Sequence, residues 1–283
     1  MTASKPASAR PFTLPFGLLV GQTLSIYFRN LVPFTLLGAL VLSPWIALLV
    51  LGPGIMDPES PAFRRHSPWV LIGFGFANTV LPWLLSLILT GALSYGVVQQ
   101  MRGRSAGLGL VLSKGFQNIG RSFVTGLLVG LRVLLFGLPA AIPILGIATR
   151  NVPYVLGMVF AFALAIPALI EYLRLYVALP AAVAEEQGGF RAVQRSKELT
   201  FGSKWPIVGG RIVIGLLMFA FQFLLTFAVR MLTERSVTGL QVTTIVAQIL
   251  SQCLGATMMA VCYFLLRRGR ENVDPAALAA VFD

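Results

Sequence analysis

Four charged side chains fall inside apolar runs long enough to cross a bilayer: Arg132, Glu171, Arg174 and Arg211. A charge at the centre of a spanning helix costs roughly 2.5–3.5 kcal/mol on insertion scales, so each needs an opposite charge, water or a ligand. Glu171 and Arg174 stand three residues apart and can meet on one helix face. Arg132 and Glu171 lie at comparable depths in successive spans, and an Arg132–Glu171 ion pair is the expected outcome. Arg174 and Arg211 are then left without an acidic partner, which makes them candidates for holding a phosphate or another anion. Outside the spans, Arg191, Arg195, Lys197 and Lys204 extend this candidate anion- and lipid-binding set.

Other chemistry is thinly provided. His66 is the single histidine and stands beside Arg64 and Arg65, as a solvated loop residue would. A zinc site based on histidine, or a Ser-His-Asp triad, would have to be built around it alone. No H-E-x-x-H, G-x-S-x-G or phosphate-binding loop is present, so no catalytic residue, metal or cofactor is expected. Cys253 and Cys262 lie nine residues apart in one apolar helix and point to opposite faces, too far apart to pair. Along the last apolar run, Gln241, Thr244, Gln248, Ser251, Gln252 and Gly255 share one broad side. Such a stripe either lines a conduit or makes hydrogen bonds between helices. Gly126 and Gly130 form a G-x-x-x-G step suited to close helix packing.

The elements that must position these groups are helical and embedded in lipid. Hydrophobic residues make up 57% of the 283 and charged residues only 11%, against about 25% charged in a soluble domain. Residues 31–51, 69–98 and 205–229 each satisfy the roughly 20 residues a helical span requires. The hydropathy pattern places six spans at about 31–51, 69–99, 122–142, 153–181, 205–229 and 240–266, with the third ending at Pro139 and Pro143. Amphipathic stretches precede the first, third and fifth, at 12–28, 108–121 and 190–201. In the last of these, Ala192, Val193, Ser196, Leu199 and Thr200 share one face, opposite Arg191, Gln194, Arg195 and Glu198. The expected fold is all-α: a polytopic membrane protein of three repeats, each an amphipathic helix followed by a transmembrane hairpin. The repeats cover about 12–101, 105–187 and 190–268 of a single domain at 12–268. Polar tails at 1–11 and 269–283 flank it, the first read as disordered. The N-terminus lacks the pattern of a cleaved signal peptide.

The net charge of +12 follows the Lys/Arg bias of cytoplasmic loops rather than a nucleic-acid surface, since the basic residues cluster at span ends in no continuous patch. Fourteen Lys and Arg fall on the side of the amphipathic stretches and both termini, and five on the other. Both termini are therefore expected in the cytoplasm, in a multi-pass protein of the cell (inner) membrane, with membrane lipids, anionic ones above all, as partners.

From Pro180 the chain reads PAAVAEEQGGFRAVQRSKELTFGSKW. Pro180, Glu185, Gly188, Ala192, Arg195, Ser196, Leu199, Thr200, Gly202 and Trp205 stand at the spacing of a motif in one membrane family. The segment resembles the membrane domain that precedes the catalytic barrel in some glycerophosphodiester phosphodiesterases and also occurs alone in bacterial membrane proteins. Glu186 departs from that pattern, standing where the family has Gly. The resemblance covers about 26 residues closely and the helix–hairpin layout of the chain more loosely. It does not carry the phosphodiesterase activity, which resides in a separate barrel needing paired His and metal-binding carboxylates. The expected role is non-enzymatic, a lipid-interacting or scaffold component of the membrane, with a small transporter or transport-complex subunit as the alternative.

The orientation is open to a labelling test. Cysteines introduced at Ser60 and Thr238 should react with an impermeant maleimide on intact cells, and one at Ser113 should not; labelling at Ser113 reverses the topology.

Overall fold

The structure, a computed structural model, describes residues 14–52, 68–101, 107–149, 153–232 and 237–271; the N-terminal tail expected at 1–11, His66, Ser60 and residues 272–283 lie outside them. Every regular element among the described residues is an α-helix. In chain order these are α1 (Phe16–Arg29), α2 (Leu31–Leu51), α3 (Pro68–Met101), α4 (Leu108–Gln117), α5 (Ile119–Ala148), α6 (Tyr154–Arg174), α7 (Ala178–Ala184), α8 (Phe190–Thr200), α9 (Lys204–Leu232) and α10 (Val237–Glu271). Six spans among them are long and apolar enough to cross a membrane, α6 and α7 together making one. The chain is a multi-pass α-helical membrane protein. A short helix followed by two long ones occurs three times, so α1, α4 and α8 gather at one end of the bundle, here termed the amphipathic end.

The helix α10 is the hub. Buried residues make up 78% of its apolar window, against 33% or less in every other span. It packs on α1, α2, α3 and α9, and at the amphipathic end on α7 and α8. Small residues allow the close approach: a side chain at Gly38 of α2 would run into the Cys253 sulfur, and a Cβ at Gly210 of α9 would stand 2.7 Å from the Met258 methyl. The Cys253 thiol donates to the Phe34 carbonyl at 3.2 Å, and the Tyr27 hydroxyl of α1 donates to the Leu250 carbonyl at 3.3 Å. Burial holds the Tyr27 phenol well above its ordinary pKa, so it remains a neutral donor. Between α2 and α3, the Trp45 indole donates to Asn78 Oδ1 at 2.9 Å.

Burial is uneven along the bundle. In α9 the buried residues are Ile207, Gly210 and Ile214, all in its first three turns. Beyond Gly126, α5 buries only Pro143 among its described side chains. Buried residues of α9 are confined to the amphipathic end, and toward the other Phe219, Phe223 and Phe227 of α9 present their rings outward as a lipid-facing surface.

Three boundaries differ from the sequence expectation. The third span does not end at Pro139 and Pro143: α5 runs through both to Ala148. Proline is tolerated inside a spanning helix when neighbours support the bend, and α6 packs closely there: a Cβ at Gly157 would run into the Ile147 side chain and stand 3.4 Å from the Pro143 carbonyl. The fourth span is not continuous but breaks at residues 175–177 into α6 and α7. The sixth extends past 266 to Glu271, because its last turn is held by side-chain pairs described below.

A test of the hub follows from its tightest crossing. Gly38→Leu should force α2 away from Cys253 and lower detergent-solubilised stability by about 1–3 kcal/mol. A thermal melt indistinguishable from the parent's would mean that α2 and α10 do not cross there.

Candidate functional site

The break in the fourth span starts with Pro180. Its ring removes one backbone donor and crowds the carbonyl four residues earlier, at Tyr176. The chain responds with a tighter turn, in which the Ala178 N–H donates to the Leu175 carbonyl at 3.0 Å rather than to that of Arg174. The freed Arg174 carbonyl receives the hydroxyls of Ser196 (2.8 Å) and Thr200 (3.1 Å) from α8. These two motif residues thus replace a backbone hydrogen bond that the bilayer could not supply. The face of α8 legible in the sequence is buried as expected, at Ala192, Val193, Ser196, Leu199 and Thr200. It packs on protein, against α5, α6, α7 and α10, rather than on lipid.

Turns of positive φ bring α8 into place. They fall at Glu186 (52°), Gly189 (69°) and Gly202 (79°). Glu186 adopts a left-handed conformation at the position where the resembling family has Gly, a strained choice for a residue with a side chain. Gly188 serves a different need: a Cβ there would stand 3.2 Å from the Arg121 side chain, so it admits α5 closely. The Gly189 N–H donates to the Thr125 hydroxyl at 2.9 Å.

A closed ring of charge and hydroxyl fastens this end. Arg195 pairs with Glu185 at 2.9 Å and with Glu271; Arg267 pairs with Glu271 at 2.9 Å and donates to the Tyr263 hydroxyl at 3.0 Å; that hydroxyl donates back to Glu185 at 2.9 Å. The ring ties α7, α8 and α10 together. Arg195, placed by the sequence among anion-binding candidates, is held by three carboxylates of the protein itself, Glu198 on its own helix being the third at 3.8 Å.

Glu171 gathers three cations. Its side chain is 3% exposed and lies 2.7 Å from Lys197, 3.5 Å from Arg132 and 3.5 Å from Arg174. The expected Arg132–Glu171 contact is present, but Lys197 of α8 makes the shorter one, and Arg174 is not partnerless. One carboxylate against three cations leaves the cluster positive. Lys197, named in the sequence as an anion-binding candidate, is instead paired with a carboxylate of the protein, because the break in the fourth span brings α8 down to the level of Glu171.

Arg211 stands apart. Among the described residues no carboxylate pairs with it. Its guanidinium lies 6.0 Å from the centre of the Tyr176 ring, beside a buried Tyr176 hydroxyl that has no hydrogen-bond partner of ordinary geometry. It faces a cavity of about 470 Å³ between α3, α5, α6, α7, α9 and α10, walled on one side by Trp83, Tyr172 and Tyr176. Gln248, Ser251, Gln252 and Gly255 of the polar stripe also line it, and no carboxylate does. The Arg211 Nη1 atom lies 3.5 Å from the position a Cβ on Gly255 would take, which puts the guanidinium close against α10. Gly126 and Gly130, read as a packing step, also line the cavity; a Cβ at Gly126 would stand 2.7 Å from Leu87. Of the remaining cationic candidates, Arg191 is exposed and Lys204 half-buried, and neither forms an ion pair among the described residues. The structure therefore separates Arg211 from the Glu171 cluster and the ring instead of joining all six cations into one site.

Comparison with protein-family models, with curated proteins and with solved structures finds no match to this chain.

The Glu171 cluster predicts an order of rescue. Glu171→Leu should cost about 3 kcal/mol or more by stranding its partners. Adding Lys197→Met should recover more thermal stability than adding Arg132→Leu, because the lysine is the closer and more dependent cation. The reverse order would show that the Arg132 pair dominates.

Proposed function

We propose that this chain is a non-enzymatic, lipid-interacting protein of the cell membrane, with its amphipathic end in the cytoplasm, and that its cavity holds the head group of an anionic lipid. The observation that carries this reading is the Arg211 guanidinium. It lies within a spanning helix, faces a polar cavity and has no carboxylate partner among the described residues. A charge in that setting is stabilised by a counter-charge or by water, and a phosphate supplies the acceptors a guanidinium fits in bidentate fashion. The positive Glu171 cluster, Arg191 and Lys204 lie toward the same end and add to the attraction for an anionic leaflet. Trp205, 84% exposed at the start of α9, suits the head-group level there. The resemblance of residues 180–205 to the phosphodiesterase-associated membrane domain is consistent with a role close to phospholipid and is itself part of this proposal. Scaffolding of other proteins is not needed to account for the cavity.

Native mass spectrometry of the detergent-purified protein tests the reading. The parent should retain anionic phospholipid, and Arg211→Gln should lose most of it, while Arg191→Gln with Lys204→Gln should lose far less. Unchanged retention in the Arg211→Gln protein, with its fold intact by circular dichroism, would remove Arg211 as the site.

A further inference from the structure

We propose that the polar face of α10 is a lateral groove along which the head group of an anionic phospholipid passes between leaflets, with Arg211 as its docking point at the amphipathic end. This rests on the reading of Arg211 as a head-group site and adds an activity to it.

The groove is defined by register. Gln241, Thr244, Gln248, Ser251, Gln252 and Gly255 fall at i, i+3, i+7, i+10, i+11 and i+14, one face of a helix. At 1.5 Å per residue they extend about 21 Å, most of a hydrocarbon core about 30 Å thick. Both ends of the face open into space. Gln248, Ser251, Gln252 and Gly255 line the Arg211 cavity, and Gln241 and Thr244 line a second one of about 260 Å³ beside Leu49 of α2. Hydrogen bonding between helices, the other explanation of such a stripe, is not what these residues do. The Thr244 hydroxyl turns back onto the Leu240 carbonyl at 2.9 Å, and the side chains of Gln241, Gln248, Ser251 and Gln252 make no hydrogen bond to another described residue. Amides and hydroxyls without protein partners, on the most buried helix of the bundle, need something polar against them.

The helix facing them leaves the seam open. Ile214, Met218 and Gln222 follow at i, i+4 and i+8 on the side of α9 that packs on α10. Beyond Ile214 no residue of α9 is buried. Gln222 donates to the Thr226 hydroxyl at 3.1 Å, a further polar pair toward the end where Gln241 and Thr244 lie, since α9 and α10 are antiparallel. Thr244 and Ser251 remain exposed although α10 is otherwise the core of the protein. A groove of this form holds a head group against amides and hydroxyls while the acyl chains stay in the bilayer. A free anion would need a path closed to lipid. The single cation and the absence of any carboxylate lining the cavity favour one negative charge, the charge of a phosphodiester head group.

The full chain, reconstituted into phosphatidylcholine vesicles carrying acyl-labelled fluorescent phosphatidylglycerol, provides the test. Dithionite added outside bleaches only the outer leaflet of protein-free vesicles; with the protein it should bleach nearly all of the label. Gln241→Leu with Thr244→Val, on the same face but outside the Arg211 cavity, should slow that loss about tenfold or more while native mass spectrometry still finds the anionic lipid bound. Arg211→Gln should abolish both. Labelled phosphatidylcholine should move more slowly than phosphatidylglycerol. Lipid retained by the parent without bleaching beyond the outer leaflet overturns the groove and leaves the head-group site standing; neither retention nor movement overturns both. Uptake of inorganic phosphate by the same vesicles without lipid movement would assign the path to a free anion and overturn the proposal. Equal rates for the two lipids, unaffected by Arg211→Gln, would overturn the docking role. Because the paired changes could disturb packing, Thr244→Val alone serves as a milder second variant, expected to slow movement with the fold and lipid retention kept.

Discussion

A backbone carbonyl released inside a membrane must find a donor, and the arrangement of the amphipathic end depends on how this chain meets that demand at Arg174. Pro180 interrupts the fourth span, the turn at 175–177 diverts one N–H, and Ser196 and Thr200 arrive from α8 to take its place. Docking α8 in this way carries Lys197 to Glu171 and Arg195 to Glu185. It also brings Arg195 within pairing distance of Glu271, so the last turn of α10 is fastened by the same event. A change at Ser196 or Thr200 would therefore act on three helices, not only on α8.

The charges then divide into two kinds. Those of the Glu171 cluster and the ring are committed to holding helices together, and a buried pair of this sort is costly to break because the remaining partner has no water to turn to. Arg211 is of the other kind. It lies beside the Tyr176 ring, with no carboxylate paired to it among the described residues. Stabilising contacts concentrate at the amphipathic end, and α9 is anchored there alone. The opposite end, with fewer buried contacts, is where the bundle opens most readily.

The central helix combines two properties that usually exclude each other. α10 is the most buried span, yet one of its faces is polar and retains exposed positions at Thr244 and Ser251. Its other faces are sealed by close crossings at Gly38 and Gly210. Close packing on one side and a partly exposed polar face on the other coexist because no α9 residue beyond Ile214 is buried.

Much of this was legible in the residues. Apolar runs of the required length determine the six spans, and the 3.6-residue period of 190–201 determines which face of α8 is buried, because both depend on the local partition of side chains between polar and apolar surroundings. The intramembrane position of Arg132, Glu171, Arg174 and Arg211 follows from the same count. Partner choice did not follow from it. That Lys197 reaches Glu171, that Arg195 is held by Glu185 and Glu271, and that Arg211 is left facing a cavity depend on the break after Arg174 and on how α8 docks against it. Nor could the sequence say whether the stripe of α10 bonds to a neighbour or faces open space, since that is decided by α9, a helix whose own hydrophobicity is the same in either arrangement. Local physics determined which segments enter the membrane and which sides they bury. Only tertiary structure decided which polar groups satisfy one another, because a hydrogen bond or ion pair between distant residues exists only where the fold brings both ends within about 3 Å.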